Sequence, residues 1–197
     1  MVIKKAEIIA TVVRPDQYPA EGPPEVAFAG RSNVGKSSLL NLITNRRRLA
    51  KVSGSPGKTQ TINFYSINDD LFRIVDLPGY GYARVSKSIS ETWGGMVESY
   101  LGGRDTLKGV CVLVDIRHEP TEKDLQLFDY LVLCGIPSLV VATKSDKLSA
   151  NGRAKQLAVI RRSLGVKRVV SVSALKRTGV EELLEAMGEV LFGEAKT

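Results

Sequence analysis

The stretch that decides the fold is VAFAGRSNVGKSSLLNLI, from Val26 to Ile43. A short apolar run leads into a loop of the form G-x-x-x-x-G-K-S, and a run with helical spacing leaves it. Gly30 and Gly35 let the backbone turn closely around an anion, while the following helix offers unpaired N–H groups and the positive end of its dipole. An ordinary Gly-rich turn is the alternative, but the loop and its context agree. The stretch therefore predicts a site for a nucleoside phosphate.

Each residue of this loop is a candidate ligand. Lys36 is expected to reach the β- and γ-phosphates, and the hydroxyl of Ser37 is expected to coordinate Mg2+. Backbone N–H groups of the loop should surround the phosphates. The further binding candidates are Gly30, Arg31, Ser32, Asn33, Val34, Gly35 and Ser38.

Composition limits the other kinds of chemistry. The chain has 197 residues, of which 43% are hydrophobic and 25% charged, and this is typical of one globular α/β domain. It has neither an apolar stretch long enough to span a bilayer nor a signal-peptide pattern, so we expect a cytoplasmic protein without a membrane partner. His118 is the single histidine, and Cys111 and Cys134 stand in apolar runs where we expect burial. Zinc clusters and His-based triads are thereby excluded.

The chain is basic, with 28 Lys and Arg against 21 Asp and Glu and a net charge of +7. Such a charge favours a polyanionic partner such as nucleic acid, although solubility alone would explain it equally well. Basic clusters stand at the ends of predicted elements, at 46–48, 161–162, 167–168 and 176–177. Because loops meet partners at such places, RNA is a candidate partner.

Strand-like and helix-like runs alternate along most of the chain. Residues 1–24 are predicted to form an extended arm and a Pro-rich linker, and residues 25–197 a single nucleotide-binding domain. The runs 61–67 and 71–75 flank the turn Asn68-Asp69-Asp70 and should pair as an antiparallel hairpin. The alternation predicts an α/β fold, with a mostly parallel six-stranded sheet, one antiparallel edge strand and helices on both faces.

A second motif, Asp76-Leu77-Pro78-Gly79, follows a strand-like run. An aspartate at this place can hold Mg2+ through water, and the N–H of Gly79 can meet the γ-phosphate. The motif is weak alone, because Asp, Pro and Gly are common in turns. Combined with the phosphate loop, it predicts a nucleoside triphosphate with its magnesium ion.

Two further strand ends favour guanine over adenine. Thr143-Lys144-Ser145-Asp146 is close to the N-K-x-D motif, in which Asp146 would accept hydrogen bonds from the guanine ring N–H and amino group. Lys144 would lay its aliphatic stem along the base. The second strand end, Val172-Ser173-Ala174, would bring the N–H of Ala174 to the guanine oxygen. Both loops leave the carboxyl ends of strands, where open α/β sheets bind ligands.

In these motifs the chain resembles the EngB (YihA/YsxC) family of ribosome-assembly GTPases, within the TrmE-Era-EngA-EngB-septin group. The letters that carry the resemblance are GRSNVGKSSLLN, SGSPGKTQTINFY, DLPGYGYARV, TKSD and VSAL. The resemblance implies a Ras-like P-loop NTPase fold, GTP hydrolysis with Mg2+, and a role in maturing the large ribosomal subunit and in normal cell division or septation. We expect a monomer whose partners are GTP, GDP and ribosomal RNA. The alternative is a small GTPase that acts on a protein or a membrane.

The resemblance also makes Gly57-Lys58-Thr59-Gln60-Thr61 the first switch, with Thr59 as the second protein ligand of the magnesium ion. From residue types alone, Thr59 and Thr61 are both candidates, because each places a hydroxyl in a polar loop. The family motif favours Thr59.

Departures from the usual GTPase pattern bear on catalysis. Where Ras-type enzymes have Gln, this chain has Tyr80, so we expect slow intrinsic hydrolysis with Lys36, Gly79 and Asn33 as catalytic candidates. Asn33 is a candidate ligand of K+, which would offset developing charge, and local capping of the loop is the alternative. Thr143 replaces the usual Asn, and we expect it to lose the reach that ties the base loop to the phosphate loop.

The second switch places aromatic and cationic side chains close together. They are Tyr80, Tyr82, Arg84 and Lys87. Such a set can stack on RNA and neutralise its phosphates, and local packing of the tyrosines is the alternative.

Overall fold

A seven-stranded sheet carries the phosphate loop, the Asp76 motif and the two loops predicted to bind guanine. The structure is a computed structural model that describes residues 1–46, 49–50, 61–80 and 89–193, without the side chains of residues 89–94. The strands are β1 (Ala6–Val12), β2 (Glu25–Gly30), β3 (Ile62–Ile67), β4 (Phe72–Asp76), β5 (Leu107–Asp115), β6 (Ser138–Thr143) and β7 (Val170–Ser171). The helices are α1 (Lys36–Ile43), α2 (Ile89–Gly103), α3 (Glu122–Leu133), α4 (Ala150–Leu164) and α5 (Val180–Phe192).

The strand order is β1-β3-β4-β2-β5-β6-β7. β3 runs antiparallel to β1 and β4, and the other neighbouring pairs are parallel, so the predicted α/β architecture and the predicted hairpin are confirmed. The sheet has seven strands rather than six, because part of the predicted arm pairs with β3 from Ala6 opposite Ile67 to Val12 opposite Ile62. The reversed strand β3 consequently lies one place in from the edge. The division of the chain at residue 24 stays a prediction.

Helices cover both faces of the sheet. Leu39 and Leu40 of α1 and Met187 of α5 pack in one cluster, while side chains of α2, α3 and α4 pack on the opposite face. β2 is buried along its whole length, and β5 along most of it, since both faces are covered. None of the helices in the described ranges combines the length and apolarity needed to cross a lipid bilayer.

Helix ends follow from local sequence. Helix α3 begins after Thr121, whose N–H and hydroxyl both donate to the side chain of Asp124 in the first helical turn (2.8 and 2.7 Å). At the other end of α3, Cys134 is exposed, so the expectation that it is buried is wrong; Cys111, in β5, is buried. Cys134 follows the last helical residue, where the chain turns to the surface. The sequence also predicts a helix that begins at Ser88, with Glu91 three residues on at the spacing of a capping box, and Ser88 lies outside the described residues.

A buried ionic network closes the amino ends of the strands. Glu25, fully buried at the start of β2, accepts hydrogen bonds from Arg104 (2.7 Å) and from the Tyr100 hydroxyl (3.0 Å). Arg73 lies 3.8 Å from the same carboxylate. Burial and the neighbouring Glu25 raise the pKa of Tyr100 well above its ordinary value. Arg104 also donates to the carbonyl of Pro19, so the network anchors the linker. This end of the sheet lies opposite the carboxyl ends of the parallel strands.

Candidate nucleotide-binding site

The phosphate loop connects β2 to α1 at the carboxyl edge of the sheet. A Cβ on Gly30 would lie 2.9 Å from Val34 Cγ1 and 3.1 Å from the Leu113 carbonyl oxygen, so only glycine fits there. Gly35 has a φ of +104° at the N-cap of α1, and Asn33 also adopts a positive φ of 64°. Since α1 begins at Lys36, the first N–H groups of this helix stand at the loop without helical partners.

The second motif lies directly against this loop. The N–H of Ser32 donates to the carbonyl of Tyr80 (3.0 Å), and the N–H of Tyr80 donates to the carbonyl of Gly30 (3.3 Å). A Cβ on Gly79 would come within 3.2 Å of the Ser32 nitrogen. Glycine at position 79 is therefore required for the close approach of the two loops, and Gly79 stands beside the backbone that would surround the phosphates.

Lys36 and Asp76 form an ion pair at the centre of the loop. The ammonium of Lys36 donates to Asp76 Oδ1, and the two side chains are only 11% and 9% exposed. The predicted phosphate-binding cation and the predicted magnesium carboxylate thus meet at one point. Both side chains lie close to where a phosphate chain would bind along the N-terminus of α1.

The donor set fits a magnesium ion that is shared with phosphates. Asp76 and Ser37 offer a carboxylate and a hydroxyl, the hard oxygen ligands that Mg2+ accepts, and it usually binds one or two such groups together with substrate phosphates and water. Within the described ranges, no group of three or more His, Cys, Asp or Glu side chains could hold a metal ion by itself. Thr59, which the family motif favours as a further protein ligand of Mg2+, lies outside the described residues with Gly57, Lys58 and Gln60, and Thr61 immediately precedes β3.

A pocket of about 370 Å³ extends from the phosphate loop to the loops after β6 and β7. Its lining includes Gly35, Ser38, Leu39, Thr143, Lys144, Asp146, Lys147, Val172, Ala174 and Leu175. This volume lies in the range of small-ligand sites. The structure therefore brings the two predicted base-binding loops to the walls of one cavity, and this cavity begins at the phosphate loop.

Asp146 is held in place as an ionised acceptor. The hydroxyl of Ser173 donates to Asp146 Oδ1 (2.6 Å) and accepts from the N–H of Lys176 (3.0 Å). The hydrogen bond from Ser173 lowers the pKa of Asp146 below its ordinary value. The N–H of Ser145 donates to the carbonyl of Val172 (3.0 Å), which joins the two base loops. An ionised carboxylate can accept from both donors on the guanine edge.

Thr143 ties the base loop to the phosphate loop. Its hydroxyl donates to the carbonyl of Val34 (2.7 Å) and lies 3.1 Å from that of Val114. The expectation that threonine loses this reach is wrong. β6 ends so near the loop that a Cβ on Gly35 would lie only 3.9 Å from Thr143 Cβ, and a short side chain is sufficient.

Lys144 is held in place by Asp115, a residue that none of the sequence motifs includes. Its ammonium donates to the carbonyl of Asn33 (2.7 Å) and to Asp115 Oδ2 (2.8 Å). Burial would raise the pKa of Asp115, but hydrogen bonds from Arg117 and Lys144 outweigh it and hold that pKa well below its ordinary value. Asp115 is the last residue of β5 and stands opposite Thr143. A carboxylate at the end of a buried strand is the pattern that would have indicated it.

Tyr80 packs locally. Its side chain is 4% exposed, and its hydroxyl donates to Asp124 Oδ1 on α3 (2.8 Å). Burial and the neighbouring Asp124 raise the pKa of Tyr80 well above its ordinary value. The packing alternative therefore holds for Tyr80, which is not available for stacking on RNA, whereas Tyr82, Arg84 and Lys87 lie outside the described residues.

Known proteins resemble this chain in sequence and in fold. Residues 25–144 match the protein family described as 50S ribosome-binding GTPase. The chain is 51% identical over 193 residues to a probable GTP-binding protein EngB of Alkaliphilus metalliredigens, covering 96% of this chain and 92% of that protein. It is 55% identical over 190 residues to a probable GTP-binding protein EngB of Syntrophomonas wolfei, covering 96% and 98%. The crystal structure of a probable GTP-binding protein engB shares the fold, with a TM-score of 0.65 at 22% identity, covering 85% of this chain and 98% of that one.

Proposed function

Because the chain belongs to the EngB family of 50S ribosome-binding GTPases, we propose that it is a GTP-driven switch that assists assembly of the large ribosomal subunit. The observation that carries the proposal is the junction of the phosphate loop, Asp76 and the Asp146 pocket along one edge of the sheet. We further propose that it acts as a monomer in the cytoplasm and supports normal cell division. The rival function, action on a protein or a membrane partner, is not favoured.

Guanine recognition would rest on Asp146 and Lys144. Asp146 would accept from the ring N–H and the amino group, which adenine does not offer together, and Ala174 would donate its N–H to the guanine oxygen. The side chain of Lys144 passes close to Gly35, since a Cβ on Gly35 would lie 3.8 Å from Lys144 Cε. The aliphatic stem of Lys144 therefore borders the pocket. Val172 lines the same pocket as Ala174.

Phosphate binding would use the charges of the loop. Lys36 and the N–H groups at the start of α1 would bind the β- and γ-phosphates. The turn that precedes this helix is formed by Arg31, Ser32, Asn33 and Val34. Ser37, Asp76 and Thr59 would hold Mg2+, which neutralises charge that develops on the phosphate oxygens. Leu77 and Pro78 lead to Gly79, whose N–H would bind the γ-phosphate.

Hydrolysis would be slow without help. Tyr80 occupies the position where Gln orients the attacking water in Ras-type enzymes, and its hydroxyl is bound to Asp124 instead. The catalytic groups would then be Lys36, Gly79 and a cation. We propose K+ near Asn33 as that cation, since a compact charge there would stabilise the transferred phosphoryl group.

Co-sedimentation with purified ribosomal subunits tests the proposed function. The protein should pellet with large subunits in the presence of a non-hydrolysable GTP analogue and much less with GDP, because switch loops change conformation with the γ-phosphate. Small subunits serve as the control for non-specific attraction to RNA. Equal pelleting with both subunits in both nucleotides, or none with either, would reject ribosome assembly in favour of another partner.

A further inference from the structure

The positive charge of the chain is concentrated in residues 147–180. This segment contains nine Lys and Arg and no Asp or Glu. The rest of the chain has 19 Lys and Arg against 21 Asp and Glu, so it is slightly acidic without the segment. The whole segment lies within the described residues, and the excess charge therefore has a known place in the fold.

The segment forms one edge of the molecule. α4 begins after β6 and ends before β7, the last strand, so it follows the height of the sheet for about 22 Å. Ile160 and Leu164 of α4 face the core, whereas Lys155 and Arg162, two turns apart, are exposed on its outer face. We name the exposed cations of this segment that lie outside ion-pair distance of any carboxylate in the described ranges the basic edge. They are Lys155, Arg161, Arg162, Lys167, Lys176 and Arg177.

One helix on the other face of the sheet, α5, carries charge of the opposite sign. α5 packs with α1 on the face opposite α4, and it contains four glutamates and no Lys or Arg. These glutamates are exposed. A polyanion would therefore attract the basic edge and repel α5, and this asymmetry defines one orientation on the partner.

The residue types of the basic edge select one kind of polyanion. Residues 147–180 contain no Phe, Tyr, Trp or His, so the segment offers no ring on which an unpaired base could stack. Leu175 is its single strongly exposed large apolar side chain, which leaves little to insert into a lipid surface. Cations without aromatics bind phosphates of a helical backbone, and duplex RNA is recognised mainly in that way.

We propose that the basic edge is a docking surface for the phosphate backbone of an RNA duplex and that it acts in both nucleotide states. The proposal rests on the proposed function, for which it names the contact face. β7 is separated from β4, the strand before Asp76, by β2, β5 and β6, or about 19 Å in all. At that distance from the strand that leads to Asp76 and Gly79, we expect the charges of the basic edge to keep their places whether GTP or GDP is bound. The basic edge anchors the protein, and the switches add the nucleotide dependence.

A double variant of the basic edge tests the proposal. Arg162→Gln/Lys167→Gln removes two charges from it, and Lys4→Gln/Lys108→Gln removes two exposed charges elsewhere as the matched control. Fluorescence anisotropy with a labelled mixed-sequence RNA duplex of about 16 base pairs measures affinity over a range of salt concentrations. We expect the basic-edge variant to bind at least about tenfold more weakly than the control at low salt. The slope of log K against log salt should fall by about 2, equally with GDP and with a GTP analogue.

The outcomes separate this inference from the proposed function. If both variants bind the duplex alike, or if the basic-edge variant loses affinity in one nucleotide state alone, the inference is overturned. Tighter binding to vesicles of anionic phospholipid than to the duplex would also overturn it. If the wild-type protein ignores large subunits while duplex binding still depends on the basic edge, the ribosomal function fails and the RNA surface stands. Retained binding of fluorescent GDP by both variants shows that they are folded.

Discussion

At the scale of single residues, Asn33 combines a positive φ with an exposed side chain in the phosphate loop. Its φ of 64° is a conformation that asparagine tolerates better than most residues, and its carbonyl accepts from Lys144. Its side chain is exposed and makes no hydrogen bond with any residue that the structure describes. Local capping by the side-chain amide therefore has no support in the described ranges, and K+ ligation stays a prediction.

Replacing Asn33 by alanine tests the role of potassium. GTP turnover of the wild-type protein should be at least about tenfold faster in potassium than in sodium buffer, because a bound cation stabilises developing charge, and Asn33→Ala should lose this difference. Steady-state phosphate release measures it. Asn45→Ala is the matched control, since Asn45 also has a positive φ (51°) and lies beyond α1. Equal wild-type rates in the two salts would remove potassium from the mechanism.

At the scale of elements, the register of β5 and β6 places Asp115 beside the base loop. Asp115 and Lys144 are 29 positions apart, yet parallel pairing sets the ends of their strands side by side. The carboxylate directs the Lys144 ammonium toward the phosphate loop, where it also binds the carbonyl of Asn33. Asp115 is thus a positioning residue for the base pocket.

The variant Asp115→Asn should weaken guanine nucleotide binding. Loss of one charged partner of Lys144 should cost about 1.5 kcal/mol, or roughly a tenfold rise in Kd for a fluorescent GDP. Because the folded-state pKa of Asp115 is depressed, the stabilising pair is present above the ordinary carboxylate pKa and is lost as pH falls through the depressed value. The wild-type Kd should therefore stay constant from neutral to mildly acidic pH. Asp129→Asn, at an exposed position of α3, is the control, and a Kd equal to that of the control would contradict the role.

At the scale of the whole molecule, one end of the sheet binds the ligand and the other end stabilises the fold. The carboxyl edge holds the nucleotide pocket, and the amino edge holds the network in which Glu25 binds Arg104, Tyr100 and Arg73. This network joins β2, β4, α2 and the linker. It stabilises the fold without contacting the site.

Removing the carboxylate of Glu25 should destabilise the protein strongly. Glu25→Ala leaves Arg104 and Arg73, which are 6% and 10% exposed, without their common carboxylate. We expect a loss of about 3–5 kcal/mol in the free energy of unfolding and a fall in Tm on the order of 10 °C, measured by urea and thermal denaturation. The folded fraction should bind GDP normally. Glu182→Ala, exposed on α5, should change stability by less than about 0.5 kcal/mol, and an equally small effect of Glu25→Ala would contradict the structural role.

Features of the fold and site that depend on neighbouring residues in the chain were predictable, whereas features that depend on tertiary packing were not. The phosphate loop, the hairpin and the strand-like runs depend on neighbours in the chain, and the structure has them. The edge strand β1 was missed because an extended segment of mixed polarity does not name its partner. Cys134 was misplaced because an apolar neighbourhood in sequence does not indicate which side of a helix end meets solvent.

The nucleotide chemistry could be inferred from the sequence, because the spacing of Gly30, Lys36, Asp76 and Asp146 relative to the strands and helices already predicts loops at one end of the sheet. The contacts by which those loops support one another became visible in the folded chain. The reach of Thr143 to Val34, the pairing of Lys144 with Asp115 and the turn of Tyr80 to Asp124 all depend on distances between strands and helices that are far apart in the chain. Packing sets these distances, and no local pattern encodes them.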